Sequence, residues 1–284
     1  MATMKFDMHI HCGPETVDPT ALLAQMDQCG IFGGVLLSHY PKEYKADGYD
    51  AQARMDQVLT ACKEHGDRLF PVLWIHPHEP NVLDVVEEAA QRGILGFKII
   101  CNNFYVSDPC CKTLLRRIAE LNKPVIFHSG ILWDGGESSK YNRPLHWESL
   151  VDIKGLRFSM GHCSWPWHDE CIAVYGKFLN SYLTRNSSEM FFDITPGTPK
   201  IYRRDLLTKL YTVGYDVDNN VMFGTDSFSN DYNPEWVRGW LKMDGEIFDE
   251  LGLTTEQREK IYHGNLERFL SGKSIDHVLP HINK

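Results

Sequence analysis

No basic run, no CxxC pair and no apolar stretch of membrane-spanning length occurs in this 284-residue chain, and each absence removes a class of protein. A spanning helix needs about 20 consecutive apolar residues. The stretch from Ile31 to Leu37 is short and broken by glycines. A formal net charge of −9 without any cationic cluster leaves no electrostatic footprint for nucleic-acid phosphates or an anionic membrane surface. Met1 to Phe6 lacks the charged and apolar regions of a secretion signal. The eight cysteines are scattered between Cys12 and Cys171, which reads as the reduced thiols of a cytoplasmic protein rather than a disulfide framework or a zinc ribbon. A soluble chain with a sizeable core and a small neutral or anionic substrate remains.

Short, branched apolar runs alternate with longer helical patterns along the whole chain, the signature of repeated βα units. The pattern predicts eight strands: Lys5 to Ile10, Phe32 to Ser38, Leu69 to Trp74, Leu95 to Ile100, Pro124 to His128, Arg157 to Gly161, Met190 to Asp193 and Val221 to Thr225. Helices between them open at polar caps followed by proline, as in Asp18-Pro19, Asp108-Pro109 and Asn233-Pro234. Eight such units form one (β/α)8 TIM barrel spanning residues 1–284, with a C-terminal helical extension over 254–284 expected to pack on the barrel exterior. An open doubly wound sheet is disfavoured, because His9-Ile10-His11-Cys12-Gly13-Pro14 replaces its glycine-rich turn after the first strand.

Barrel enzymes keep their chemistry at the carboxyl ends of the strands. There this sequence places His9 and His11 (strand one), Lys98 (four), His128 (five), His162 (after six) and Asp226 (after eight). Residues two apart on a strand share a face about 6.6 to 6.8 Å apart, so His9 and His11 can converge on one ion. Strand eight closes the barrel beside strand one, and a carboxylate there can complete an open site of the kind zinc favours. Lys98 has three readings: a carboxylated bridge between two metals, an anchor for an anionic substrate group, or an outward-facing residue. His76-Pro77-His78 is a second HxH, but its proline assigns it to a loop.

Taken in order, Asp7-Met8-His9-Ile10-His11, Gly96-Phe97-Lys98, Val125-Ile126-Phe127-His128-Ser129-Gly130, Gly161-His162, Trp165-Pro166-Trp167-His168-Asp169-Glu170, Gly224-Thr225-Asp226-Ser227 and Asn265 resemble the amidohydrolase superfamily. Within it they resemble the amidohydrolase-related branch of metal-dependent hydrolases and decarboxylases. The resemblance implies that His9, His11, His128 and Asp226 ligate a divalent metal, foremost zinc, while His162 stands beside the bound water and Asp226 also shuttles a proton. Relatives often continue strand four as lysine, apolar residue, histidine, whereas this chain reads Lys98-Ile99-Ile100. One ion is therefore expected, and two if Lys98 is carboxylated. Two phosphoesterase architectures share the opening motif. One lacks support because Phe228 stands where it has histidine, the other because Lys98 stands where it has glutamate.

The expected activity is hydrolysis of an ester, lactone or amide of a small, carboxylate-bearing substrate, with His162 and Asp226 as acid–base groups. Non-oxidative decarboxylation of an unsaturated or aromatic acid is the alternative; a phosphodiesterase or a non-catalytic metal-binding protein ranks below both. Lys98, Arg143 and Trp165 are the candidates for substrate binding. The long segment from Ile131 to Pro144 reads as a mobile rim loop setting specificity. No nucleic-acid or membrane partner is expected, and a homodimer is compatible with the fold.

Overall fold

In the computed structural model, residues 4–41, 50–185 and 187–272 are described. The strands are β1 (Phe6–His11), β2 (Gly33–Leu37), β3 (Leu69–Trp74), β4 (Gly96–Ile99), β5 (Val125–Phe127), β6 (Arg157–Met160), β7 (Glu189–Asp193), β8 (Val221–Met222) and β9 (Ser227–Phe228). The helices are α1 (Pro19–Gln28), α2 (Ala51–Cys62), α3 (Val82–Arg92), α4 (Pro109–Glu120), α5 (His168–Arg185), α6 (Arg203–Thr212), α7 (Pro234–Glu250), α8 (Thr255–Glu259) and α9 (Asn265–Ser271).

Strands pair in parallel in sequence order from β1 to β8, and β9 pairs with β1, so the sheet curls into a (β/α)8 barrel. The predicted eighth strand, Val221 to Thr225, shortens to β8, and β9 follows after a break. The Met8 amide donates to the Phe223 carbonyl at 3.0 Å and the Asp226 amide to that of His9 at 3.0 Å, closing the ring across the interruption. Predicted caps are present at Asp18, which accepts from the Ala21 amide, and at Asn233, which accepts from Glu235 and Trp236. Asp108 instead turns to the Tyr105 amide.

Alternation along each strand sorts side chains between the barrel interior and the helix layer. Phe97, Ile99, Phe127, Phe158, Met160 and Phe192 face the helices. Phe6, Met8, Val35, Val72, Ile126 and Phe191 fill the interior. Two residues further along β5 and β7 the same inward side carries His128 and Asp193, which puts polar groups at the carboxyl end. In β1 the register shifts between Asp7 and Ile10. Such a bulge re-aims the side chains beyond it. Met8 and His9, although adjacent, therefore both serve the interior.

One part of the extension, α9, turns into the end of the barrel, whereas α8 buries none of its residues. Leu266 and Phe269 of α9 join the inner apolar cluster and plug its amino-terminal end. Arg157 secures the plug by donating to the Phe269 carbonyl at 2.8 Å. Residues 273–284 of the expected extension lie outside the described residues. The eight cysteines are free. Among the described residues, no helix is long and apolar enough to cross a membrane.

Candidate metal centre

His9, His11 and Asp226 each direct one ligand atom to a common point, all within 4.8 Å of one another. Nε2 of His9 lies 3.1 Å from Nε2 of His11, and Asp226 Oδ1 lies 3.6 Å and 3.2 Å from them respectively. Asp226 reaches this point from the break between β8 and β9 by adopting a left-handed backbone, φ +61°. Aspartate tolerates that conformation better than most residues. Burial, and then the charge of Lys98, push the His9 imidazole down to about 4, leaving its ring neutral and able to donate a lone pair. Burial alone would raise Asp226, but His162, His11 and His9 together outweigh it and hold the carboxyl well below the usual range. Neutral imidazoles and an ionised carboxylate are the donor forms a divalent cation requires.

The strand-end rule also marks Asp193, at the end of β7, although the sequence reading did not select it. Its Oδ2 sits 2.6 Å from Nδ1 of His9, so the His9 proton lies on that nitrogen and Nε2 faces the cluster. The Thr195 amide and hydroxyl bond the other carboxylate oxygen. This carboxylate–histidine relay fixes ring orientation and raises ligand basicity. Asp193→Ala is expected to weaken metal affinity about 10- to 100-fold. Competition with a calibrated chelator measures it, and an unchanged affinity contradicts the role.

His162 enters from the turn after β6, where His162, Cys163 and Ser164 have φ of +57°, +43° and +59°. Three consecutive non-glycine residues in that region are held by their surroundings at a cost of roughly 1–3 kcal/mol each. The ring stands 5.6 Å from that of His9 and 5.1 Å from that of His128, centre to centre, with Nδ1 3.3 Å from the Thr195 carbonyl. Gly197 lies flat against it: a β-carbon there would come 2.5 Å from the His162 Cγ. Gly197→Ala must therefore move the imidazole. The expected result is a fall in kcat of about 10²-fold, the scale of a displaced acid–base group, with metal content unchanged. Loss of the metal as well would place Gly197 in the ligand scaffold instead.

The four expected ligands do not all converge. His128 lines the same cavity, but its Nε2 meets the Ile131 carbonyl at 3.1 Å and lies outside the three-residue cluster. Lys98 points inward, is buried, and places Nζ 3.1 Å from the His9 Nε2, which removes the outward-facing reading. Burial pushes its amine down to about 8. Trp165 lines the cavity as expected. Arg143 does not. Its Nε donates to Glu170 at 2.9 Å and its guanidinium lies over Trp167, because the loop carrying it folds back toward α5. Arg203 is buried against Asp244, and Arg204 pairs with Glu250 on the surface. His76 and His78 occupy the loop after β3, with Asn102 and Asn103 beside the first and Cys110 beside the second.

The cavity of about 790 Å³ opens at the carboxyl end of the strands and is walled by Trp74, Tyr40, Phe228, Trp133 and Trp165. Trp165 was selected from the sequence and Trp133 falls in the rim segment read as setting specificity, whereas Trp74 and Phe228 end strands and Tyr40 follows β2 with no spacing that marks them. A barrel with imidazoles and a carboxylate gathered on this rim belongs to the class of barrel enzymes built round a metal centre. Residues 6–271 match the family described as amidohydrolase, and the chain belongs to that metal-dependent family. Compared by sequence with curated proteins, it matches none.

Solved structures share the fold at low identity. A 2,6-dihydroxybenzoate decarboxylase from Rhizobium is 14% identical with a TM-score of 0.62, covering 96% of this chain and 100% of its own. A manganese-bound 5-carboxyvanillate decarboxylase from Novosphingobium aromaticivorans is 13% identical with a TM-score of 0.64, covering 95% and 97%. A dihydroorotase from Campylobacter jejuni is 17% identical with a TM-score of 0.61, covering 95% and 84%.

Proposed function

We propose that this amidohydrolase-family enzyme hydrolyses an ester, lactone or amide bond in a small carboxylate-bearing molecule, using one divalent cation held by His9, His11 and Asp226. The supporting observation is that these three side chains and His162 face a single cavity, which pairs a cation site with a separate acid–base group. Two imidazoles and one carboxylate leave positions for water and substrate, the open arrangement of catalytic zinc. Zinc is accordingly the proposed ion. When bound, such an ion would lower the pKa of its water toward neutrality and polarise a carbonyl. The protein then has to place the carbonyl, accept a proton and return it. Either His162 or Asp226 accepts the proton, and the same group returns it to the leaving alcohol or amine. Asp193 keeps the His9 proton on Nδ1 throughout.

One observation favours decarboxylation as the second reading. Lys98 is the cation among the described residues lining the cavity, and it sits against His9 at the base. A substrate carboxylate drawn to Lys98 lies at the reacting end and not at a remote clamp. The test is a panel of lactones, amides and unsaturated acids assayed for acid release and for carbon dioxide, with and without chelator. Chelator-sensitive acid release without carbon dioxide supports hydrolysis. Carbon dioxide release transfers the reading to decarboxylation, and turnover insensitive to chelator overturns both.

A further inference from the structure

Asp7 opens the motif that carries His9 and His11, yet neither the cluster nor the relay from Asp193 uses it. Its side chain is completely buried and lies outside the lining of the cavity. Four donors nevertheless converge on it. Oδ1 accepts from the His9 amide at 3.0 Å and from the Thr225 amide at 2.9 Å. Oδ2 accepts from the Tyr232 hydroxyl at 3.0 Å and from the Thr225 hydroxyl.

The two amides on Oδ1 come from the two irregularities that shape the cluster. The register of β1 against β2 shifts between Asp7 and Ile10, and His9 lies inside that shift. Thr225 lies inside the gap between β8 and β9, one residue before Asp226. Such an irregularity takes an amide out of the ladder, and a buried amide then needs another acceptor. One carboxylate oxygen serves both. It thereby fixes the backbone beneath one ligand relative to the backbone beneath another. The Asp226 amide, donating to the His9 carbonyl at 3.0 Å, closes the same ring of contacts. Gly34 of β2 leaves the room: a β-carbon there would stand 3.1 Å from the Asp7 Cβ and 2.4 Å from the Asp7 carbonyl oxygen.

We propose that Asp7 is a positioning residue that sets the separation of His9 and Asp226, and with it the grip of the cluster on a cation. The inference rests on the proposed cation site and adds the group that holds its two strands in step. Asp7 acts through the backbone, and its two oxygens have separate tasks: Oδ1 governs the cluster, whereas Oδ2 ties down the segment that carries Tyr232. Asparagine at this position keeps an oxygen for both amides and turns its NH2 toward the two hydroxyl oxygens. The Thr225 hydroxyl then has the Ser227 Oγ as acceptor at 2.8 Å.

The test compares wild type, Asp7→Ala, Asp7→Asn and Tyr232→Phe, each stripped of metal, by zinc and manganese titration against a calibrated chelator, by thermal melting and by crystal structures without metal. Asp7→Ala is expected to bind either ion at least about tenfold more weakly, the scale of losing an outer partner of a metal ligand. Its distance from His9 Nε2 to Asp226 Oδ1 is expected to depart from the wild-type value by more than about 0.5 Å, the tolerance of a preorganised site. Asp7→Asn restores both. Tyr232→Phe lowers the melting temperature and keeps the wild-type affinity, because both bonds to Oδ1 remain. A carboxylate that only stabilises the fold predicts instead that affinity falls with melting temperature in Tyr232→Phe as in Asp7→Ala. That outcome, an unchanged affinity in Asp7→Ala, or an unchanged ligand separation overturns the inference. Asp7→Glu, which keeps the charge and moves the acceptor by a methylene, replaces Asp7→Ala if the latter does not fold, with the same loss expected and the same contradiction if affinity is unchanged. If the wild type takes up neither ion, the cation reading fails and the crystal distances decide. A separation that shifts in Asp7→Ala and returns in Asp7→Asn then supports the positioning role, and an unshifted one overturns it.

Discussion

Asp226→Asn is expected to lower kcat/KM at least about 10³-fold, or roughly 4 kcal/mol of transition-state stabilisation. Asparagine keeps the size of the side chain and tolerates the left-handed backbone at this position, φ +61°, so the variant isolates the charge. The loss compounds two effects. The neutral amide is a poorer donor to a divalent cation held with His9 and His11, and it no longer accepts a proton. Asp226→Ala adds backbone strain to both and is expected to be at least as inactive. Steady-state kinetics with far-ultraviolet circular dichroism checks this. A tenfold loss or less would show that Asp226 neither binds the ion nor moves the proton.

Asp244→Ala carries the largest expected cost in stability, about 3–5 kcal/mol, with no residue at the metal cluster altered. Arg203 and Asp244 are both completely buried and meet through two bonds of 2.7 Å, joining α6 to α7. The same guanidinium also donates to the Ile194 carbonyl, one residue past Asp193. Removing the carboxylate leaves a charge inside the protein without its partner, which costs far more than a surface pair. Urea denaturation measures it at the midpoint. A change below about 1 kcal/mol would mean that water reaches Arg203. Because the Ile194 carbonyl adjoins the relay to His9, a smaller loss of activity is expected beside the loss of stability.

The barrel was legible because its signal is redundant: eight apolar runs, each bounded by helix caps, leave little choice of architecture. Leu69 to Trp74 agrees to the residue, the other strands up to the seventh shift by one residue at one or both ends, and the eighth stops short at Met222. The eighth strand was read as continuous because Phe223 and Gly224 extend its apolar pattern. In the structure the barrel needs a break there to turn Asp226 inward. The HxH at the end of strand one was legible from its spacing, but its inward placement beside Met8 depends on a bulge, which side-chain type does not announce. Asp193 obeys the strand-end rule and was passed over in favour of histidines. Arg143 was selected as an available cation, and only the fold shows that Glu170 and Trp167 engage it. The plug made by α9 escaped for a similar reason. A short amphipathic helix looks the same whether it covers a barrel or stops its end.

The cation site at His9, His11 and Asp226 is the claim on which the rest depends, and elemental mass spectrometry of protein purified without added metal tests it most directly. Wild type, Asp226→Ala and Lys98→Ala are compared. About one zinc per chain in the wild type, lost from Asp226→Ala and kept in Lys98→Ala, is the predicted result. Manganese in the same stoichiometry would keep the site and change the ion. Two ions with one dependent on Lys98 would contradict the single-ion centre, and metal-free wild-type protein that takes up no zinc or manganese on addition would contradict the site itself.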